Sequence, residues 1–233
     1  MNSSGKNISP LFDRAFIMDS LSLSGRALCE LTDRVAGRPC SQHVTTLDQL
    51  MKAVLRHTGE RLFIITELMS ERERLADCLK LLAALRPRQA ADRCRVMVCT
   101  DLSDPLVLRA VSNLQPAAIA LRRESLEILT QSMRMAWISW PNTVLSPAVT
   151  DGFMLARDIH LTPRELEWLV TQADGMDLRG SAKAMRVSYK TVSTWRRNIS
   201  RRLSTATGDS KPFTLRLAEL QKSTGILFGA GED

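Results

Sequence analysis

From Leu178 to Gly208 the sequence contains no Asp or Glu, while Arg179, Lys183, Arg186, Lys190, Arg196, Arg197, Arg201 and Arg202 all carry positive charge. Cations gathered on one segment without counter-charges suit a polyanion, because each can neutralise a phosphate. The hydroxyl and amide residues among them, Ser193, Thr194 and Asn198, add groups able to hydrogen-bond base edges. Chemistry of other kinds has little support. His43, His57 and His160 are far apart and lack metal-ligand spacing, and the sequence shows neither a Gly-rich phosphate loop nor a nucleophile elbow. An enzyme is therefore the weakest of the functional classes, and no cofactor or metal is expected.

The 233 residues allow two domains, each with its own core, and the formal charge of +7 favours a polyanionic partner. Charge alone does not separate nucleic acid from an anionic membrane surface. The five cysteines, Cys29, Cys40, Cys78, Cys94 and Cys99, lie in or beside apolar runs without metal-ligand spacing and read as reduced core thiols. The first ten residues are polar, with no apolar region of the signal-peptide kind, and no later run reaches the roughly 18 apolar residues of a membrane span. A cytoplasmic location and no membrane partner are expected.

The elements that must position these residues follow from periodicity. After a polar tail over 1–11, strand-like apolar runs over 15–18, 61–66, 95–100 and 117–121 alternate with helical spacing over 23–35, 47–55, 72–85, 106–113 and 126–136. A fifth strand, over 42–44, is weak. Continuous apolar runs such as Phe63-Ile64-Ile65 and Val96-Met97-Val98 are what a parallel sheet covered on both faces requires. The spacing predicts a doubly wound α/β domain over 12–138 and a Pro- and Gly-containing linker over 139–159, with a short helix around 148–155.

Thr162-Pro163-Arg164-Glu165 is a capping box that starts a helix at Pro163. Leu166, Leu169, Val170 and Ala173 form its apolar face, and Gly175 is placed to end it. A second helix over 178–185 buries Leu178, Ala182 and Met185. The turn Arg186-Val187-Ser188 leads into a third, with Ser188 as N-cap. Val192, Ile199 and Leu203, with Trp195 between them, form the buried stripe of this third helix. Lys190, Ser193, Thr194, Arg197, Asn198 and Arg201 lie opposite, on a face suited to the major groove. A fourth helix is expected over 213–220, for core closure or a dimer contact, and a tail over 225–233.

This segment resembles the LuxR/FixJ-type (GerE) helix-turn-helix family, whose pattern runs L-T-x-R-E-x-E-x-L, Gly, S-x-x-T-V, then N-I-x-x-K-L. The matching residues are Leu161 to Leu169, Gly175, Ser188-Tyr189-Lys190-Thr191-Val192 and Asn198-Ile199-Ser200-Arg201-Arg202-Leu203, without a gap. The family's K-E-I-A is Arg179-Gly180-Ser181-Ala182 here, its frequent His is Trp195, and its Gly after the last helix is Ser204. Gly180 within a helix costs about 1 kcal/mol against Ala. The resemblance implies an all-α DNA-binding domain over 160–224 that binds double-stranded DNA, with Ser193, Thr194 and Arg197 facing bases and Arg179, Lys190, Thr191 and Arg201 facing phosphates. The plainer alternative, a merely solvated basic face, does not account for the capping box and the ungapped pattern. Trp195 is expected to pack rather than stack on bases.

Beside such a domain, the α/β unit resembles a response-regulator receiver of the flavodoxin-like type. A working receiver needs paired acids after strand one, an Asp after strand three, a hydroxyl ending strand four and a Lys ending strand five. This sequence has Asp19-Ser20, Glu67, Thr100 and Arg122 at these places. Ser20 removes a metal-holding carboxylate. Glu67 carries its carboxylate one methylene further out, to where a phosphoryl group would sit, and Arg122 replaces a point-like ammonium with a planar fork. The combination implies a degenerate phosphoacceptor site that does not run on aspartyl phosphorylation. What remains for such a domain is protein contact, through the helices around 106–111 and 126–136, as in the RcsB/BglJ-like regulators of this family that pair with a conventional response regulator. Homodimer and heterodimer stay open. So do two functions, a transcriptional regulator that binds a promoter half-site and an interaction regulator that sequesters a partner with little DNA binding of its own.

Overall fold

A computed structural model describes residues 11–70, 73–155, 160–173 and 175–206. Its first part alternates β1 (Arg14–Met18), α1 (Ser22–Ala36), β2 (Ser41–Val44), α2 (Leu47–Arg56), β3 (Leu62–Thr66), α3 (Leu75–Ala90), β4 (Cys94–Thr100), α4 (Pro105–Ser112), β5 (Ala118–Leu121), α5 (Leu126–Ile138), β6 (Val144–Leu145) and α6 (Pro147–Leu155). All the strands are parallel, in the order β2-β1-β3-β4-β5-β6. Every residue of β3 and β4 is buried, as the apolar runs at their centres demand for a sheet covered on both sides, and the buried Arg95 donates to the carbonyls of Gln89 and Cys94. Alternate residues divide the core. Phe16, Ile64, Val96, Val98 and Ile119 face the side of α2, α3 and α4, and Ala15, Ile17, Phe63, Ile65, Met97 and Cys99 face α1 and α5. This is the doubly wound, flavodoxin-like architecture expected from the sequence.

Local chemistry sets the helix ends. Asp104 accepts from the amides of Leu106 and Val107, with Pro105 in the first helical position of α4. Thr46 caps α2 through Gln49 N, and Gly37 ends α1 at φ +70°.

The structure differs from the sequence reading in two places, and it firms up the weak strand over 42–44. Residues 139–159, read as a linker with a short helix around 148–155, contain that helix as α6 and also β6, which extends the sheet through Ala118↔Val144 and Ile119↔Leu145. A two-residue strand is too short for any periodicity to reveal. β2 is a full strand despite its weak pattern, because an edge strand paired only to β1 leaves Ser41, Gln42 and His43 partly in solvent. Finally, α4 does not offer the free pairing face expected around 106–111. Leu106, Val107, Leu108, Ala110 and Val111 are all buried, and the helix contacts both α6 and the next helix in the chain, α7 (Pro163–Ala173).

The second part is all-α, with α7 followed by α8 (Leu178–Ala184) and α9 (Tyr189–Ala206). Leu166, Leu169 and Val170 of α7 join Ala182, Met185, Val192 and Ile199 in one core. Trp168 is also buried, off the expected stripe, because α7 is packed on two sides, by α8 and α9 and by α3 and α4. The side chains of Ala173 and Leu203 lie outside the described residues, as do the helix expected over 213–220 and the tail over 225–233. Among the described residues no helix is long and apolar enough to cross a membrane.

Candidate functional site

In a parallel sheet every strand ends at the same edge, so residues that follow the strands meet there. The structure accordingly brings Asp19, Glu67, Thr100 and Arg122 together. The Arg122 guanidinium lies 3.1 Å from Asp19 Oδ2, pairs with Glu67 Oε2 and reaches Asp101 Oδ2 at 3.2 Å. Glu67 Oε1 accepts from the Thr100 hydroxyl and, at 2.6 Å, from Leu68 N, while Oε2 also accepts from Asp101 N at 3.3 Å. Thr100 Oγ1 in turn accepts from Leu102 N, and Asp19 Oδ1 from Leu21 N. Asp101 was not picked out from the sequence, although an acid directly after Thr100 was visible there.

The electrostatics follow from burial. Asp19, Glu67 and Thr100 are buried, and the Arg122 side chain is only 16% exposed. Burial pushes the Glu67 carboxyl above the usual glutamate range, against the pull of Arg122 and Thr100. For Arg122, burial acts to lower its proton affinity, but Glu67, Asp19 and Asp101 together outweigh it and raise it. The cluster is thus a single cation set among three carboxylates, with both Glu67 oxygens already bonded. Among the described residues no three His, Cys, Asp or Glu side chains stand close enough to hold a metal ion.

The loop that carries Asp19 is clamped from β2 and α1. His43 Nε2 lies 2.7 Å from the Asp19 carbonyl oxygen. The space for its ring exists because residue 25 is glycine, where a Cβ would come within 2.2 Å of the imidazole.

The second surface is built on the capping box. Thr162 N donates to Glu165 Oε2 at 2.9 Å and Glu165 N to Thr162 Oγ1 at 3.2 Å, the reciprocal pair the sequence implies. Glu165 also pairs with Arg202, which donates to the His160 carbonyl, so this cation of α9 is committed to holding α9 on the start of α7. Gly175 ends α7 at φ +81°. Gly180 does not weaken a helix interior. It lies in the first turn of α8, where its amide donates to the capping carboxylate of Asp177 at 2.6 Å, and a Cβ would meet that oxygen at 2.9 Å. Ser181, another departure from the family pattern, is buried and bonds Thr171 Oγ1 at 2.8 Å.

Ser188 caps α9, accepting from Thr191 N at 3.0 Å, and its hydroxyl pairs with that of Thr191 at 2.8 Å. With Val192 and Ile199 buried, the opposite face exposes Lys190, Thr194, Arg197 and Arg201, with Ser193 and Thr191 half-buried beside them and Arg179 exposed on α8. Trp195 packs partly against the core. Arg196 is exposed as well, on the flank of this face, a position the sequence reading left without a role.

This is the arrangement of a helix-turn-helix with an open cationic third helix. Residues 160–207 match the luxR family of bacterial regulatory proteins. The second part of the chain is therefore a luxR-type domain, joined to a receiver-like α/β domain. Solved structures support the fold of the whole. RcsB from Salmonella enterica serovar Typhimurium, bound to the rprA promoter in the presence of a phosphomimetic, is 17% identical with a TM-score of 0.62, over 90% of this chain and 98% of that one. The same protein on the P1flhDC promoter gives 18% identity and a TM-score of 0.56, over 88% and 98%. An RcsB–DNA complex gives 17% and 0.53, over 91% and 98%. No curated protein matches the chain.

Proposed function

We propose that this protein is a cytoplasmic, DNA-binding transcriptional regulator of the LuxR/FixJ type that reads the major groove with α9, acts as a dimer and works without aspartyl phosphorylation. Its units would be a receiver-like domain extended through β6 and α6 and a DNA-binding domain from residue 160 onward. The observation that carries the reading is the acid-free face of α9, where Lys190, Thr194, Arg197 and Arg201 are exposed while Arg202 is held by Glu165. In this reading Ser193, Thr194 and Arg197 contact bases, and Arg179, Lys190, Thr191 and Arg201 contact phosphates. Independence from phosphorylation is supported by Glu67, whose oxygens are bonded to Arg122, Thr100 and two backbone amides. Exposed Leu23 on α1 and Leu126 and Ile138 on α5 support pairing through the first domain, with itself or with another regulator.

The test is titration of the full chain against genomic DNA fragments at several salt concentrations. Several phosphate contacts give a steep linear fall of log affinity with log salt, at about 0.9 per contact. Absence of binding at low salt, alone or with a co-purifying regulator, would favour the interaction-only alternative. In parallel, incubation with a small phosphodonor and Mg²⁺ should leave the intact mass unchanged, and a labile phosphate on the α/β domain would overturn that part of the proposal.

A further inference from the structure

The hydrogen bonds along α9 separate two side chains, Thr194 and Arg197, that the sequence assigns alike to bases. Thr194 Oγ1 donates to the Lys190 carbonyl at 2.9 Å, one helical turn back. A hydroxyl has one hydrogen, so this bond leaves Thr194 without a donor for a base edge. With the hydroxyl turned back along the helix, the methyl is the part of this exposed side chain left for an outward contact. The Thr191 hydroxyl is paired with that of Ser188, and either of the two can be the donor. Arg197, by contrast, is exposed, and among the described residues its guanidinium makes no ion pair or hydrogen bond.

From this we infer that α9 selects a thymine and a guanine close together in the half-site, Thr194 by apolar contact with the thymine methyl and Arg197 by a two-pronged bond to guanine O6 and N7. The inference rests on the proposed DNA-binding reading and names the bases that reading leaves open. Apolar contact from a Thr methyl recognises the C5-methyl of thymine, and an Arg fork matches the acceptor pair of guanine. Residues 194 and 197 are separated by about 4.5 Å along a helix that rises about 1.5 Å per residue. Base pairs stack at about 3.4 Å. The two bases therefore lie one or two steps apart. Ser193, for which no intramolecular hydrogen bond competes among the described residues, has an adaptable hydroxyl and imposes no single base.

The experiment is selection from a randomised double-stranded DNA library with the full chain, followed by affinity measurement on the enriched site and its single-base variants, for wild type, Thr194→Val, Thr194→Ser and Arg197→Ala. Thermal melting confirms that each exposed-site variant is folded. The expected wild-type site holds T and G within two steps. Thr194→Val, which keeps a methyl and removes the hydroxyl, should retain affinity and the T preference within about twofold. Thr194→Ser, which keeps the hydroxyl and removes the methyl, should lose about fourfold in preference for T over C, the worth of one buried methyl-sized group. Arg197→Ala should lose about 5- to 150-fold at the G position and little elsewhere. Sequence-selective binding in which Thr194→Val loses preference and Thr194→Ser does not would overturn the inference while leaving DNA binding intact. Failure of the wild type to bind any DNA at low salt would overturn the DNA-binding reading itself, and the inference with it.

Discussion

Replacing Arg122 by Met removes the cation from the strand-end cluster and keeps most of the volume. Asp19 is 1% and Glu67 6% exposed, so both carboxylates would be left in a desolvated site without their counter-charge. The pair with Asp101, whose side chain is 62% exposed, is screened by water and contributes little to the balance. Breaking a buried pair by removing one partner costs about 3–5 kcal/mol, because the remaining charge is uncompensated. At about 2–4 °C per kcal/mol for a domain of this size, the melting temperature at pH 7.5 should fall by about 6–20 °C. The loss should depend on pH in a definite direction. Burial already raises the Glu67 proton affinity, and without Arg122 it rises further. A carboxyl whose folded value is raised carries no penalty below its ordinary value and the full penalty above its folded value. The deficit of Arg122→Met should therefore shrink as pH falls from 7.5 towards 5, and adding Glu67→Gln should recover part of it at neutral pH. Calorimetric or circular-dichroism melts over that range test this. A variant within about 1 kcal/mol of wild type at pH 7.5, or a deficit that grows on acidification, would refute the reasoning.

Two further outcomes are expected. Gly25→Ala should destabilise the α/β domain by about 1–3 kcal/mol, as overpacking does, since its Cβ would fall 2.2 Å from the His43 ring, and His43→Ala in the same chain should relieve most of that cost in chemical denaturation. In native thiol alkylation at pH 8, the partly exposed Cys29 and Cys40 should react first. Cys78 and Cys99, whose thiols burial pushes up to about 12, and Cys94, pushed up to about 11, should react only on unfolding, which mass spectrometry of the labelled peptides would report.

The parts legible in the sequence were those whose cause is local. A parallel strand covered on both faces has an apolar run at its centre, so β3 and β4 are legible in Phe63-Ile64-Ile65 and Val96-Met97-Val98. The capping box needs only Thr162 and Glu165 three residues apart, and both of its bonds formed as read. β6 was missed because two residues carry no period. The burial of α4 was missed because it depends on α6 and α7 arriving from further along the chain. Gly180, a helix-weakening residue by propensity, turned out to sit against its own cap, which no propensity scale records.

The amino-acid sequence by itself determined the doubly wound alternation, the helix-turn-helix and the segment free of acids, because apolar period, capping chemistry and charge are written along the chain. Only the tertiary structure decided which charges are committed and which are open. Arg202 and Arg197 are indistinguishable as letters, yet one is paired with Glu165 across 37 residues of chain and the other faces solvent. Arg122 finds Asp19, Glu67 and Asp101 because parallel strands end at one edge, and Thr194 gives its only hydrogen to a carbonyl one turn back. Ion pairs and hydrogen bonds are claims on particular atoms at short range, and they are settled only once the chain has brought those atoms together.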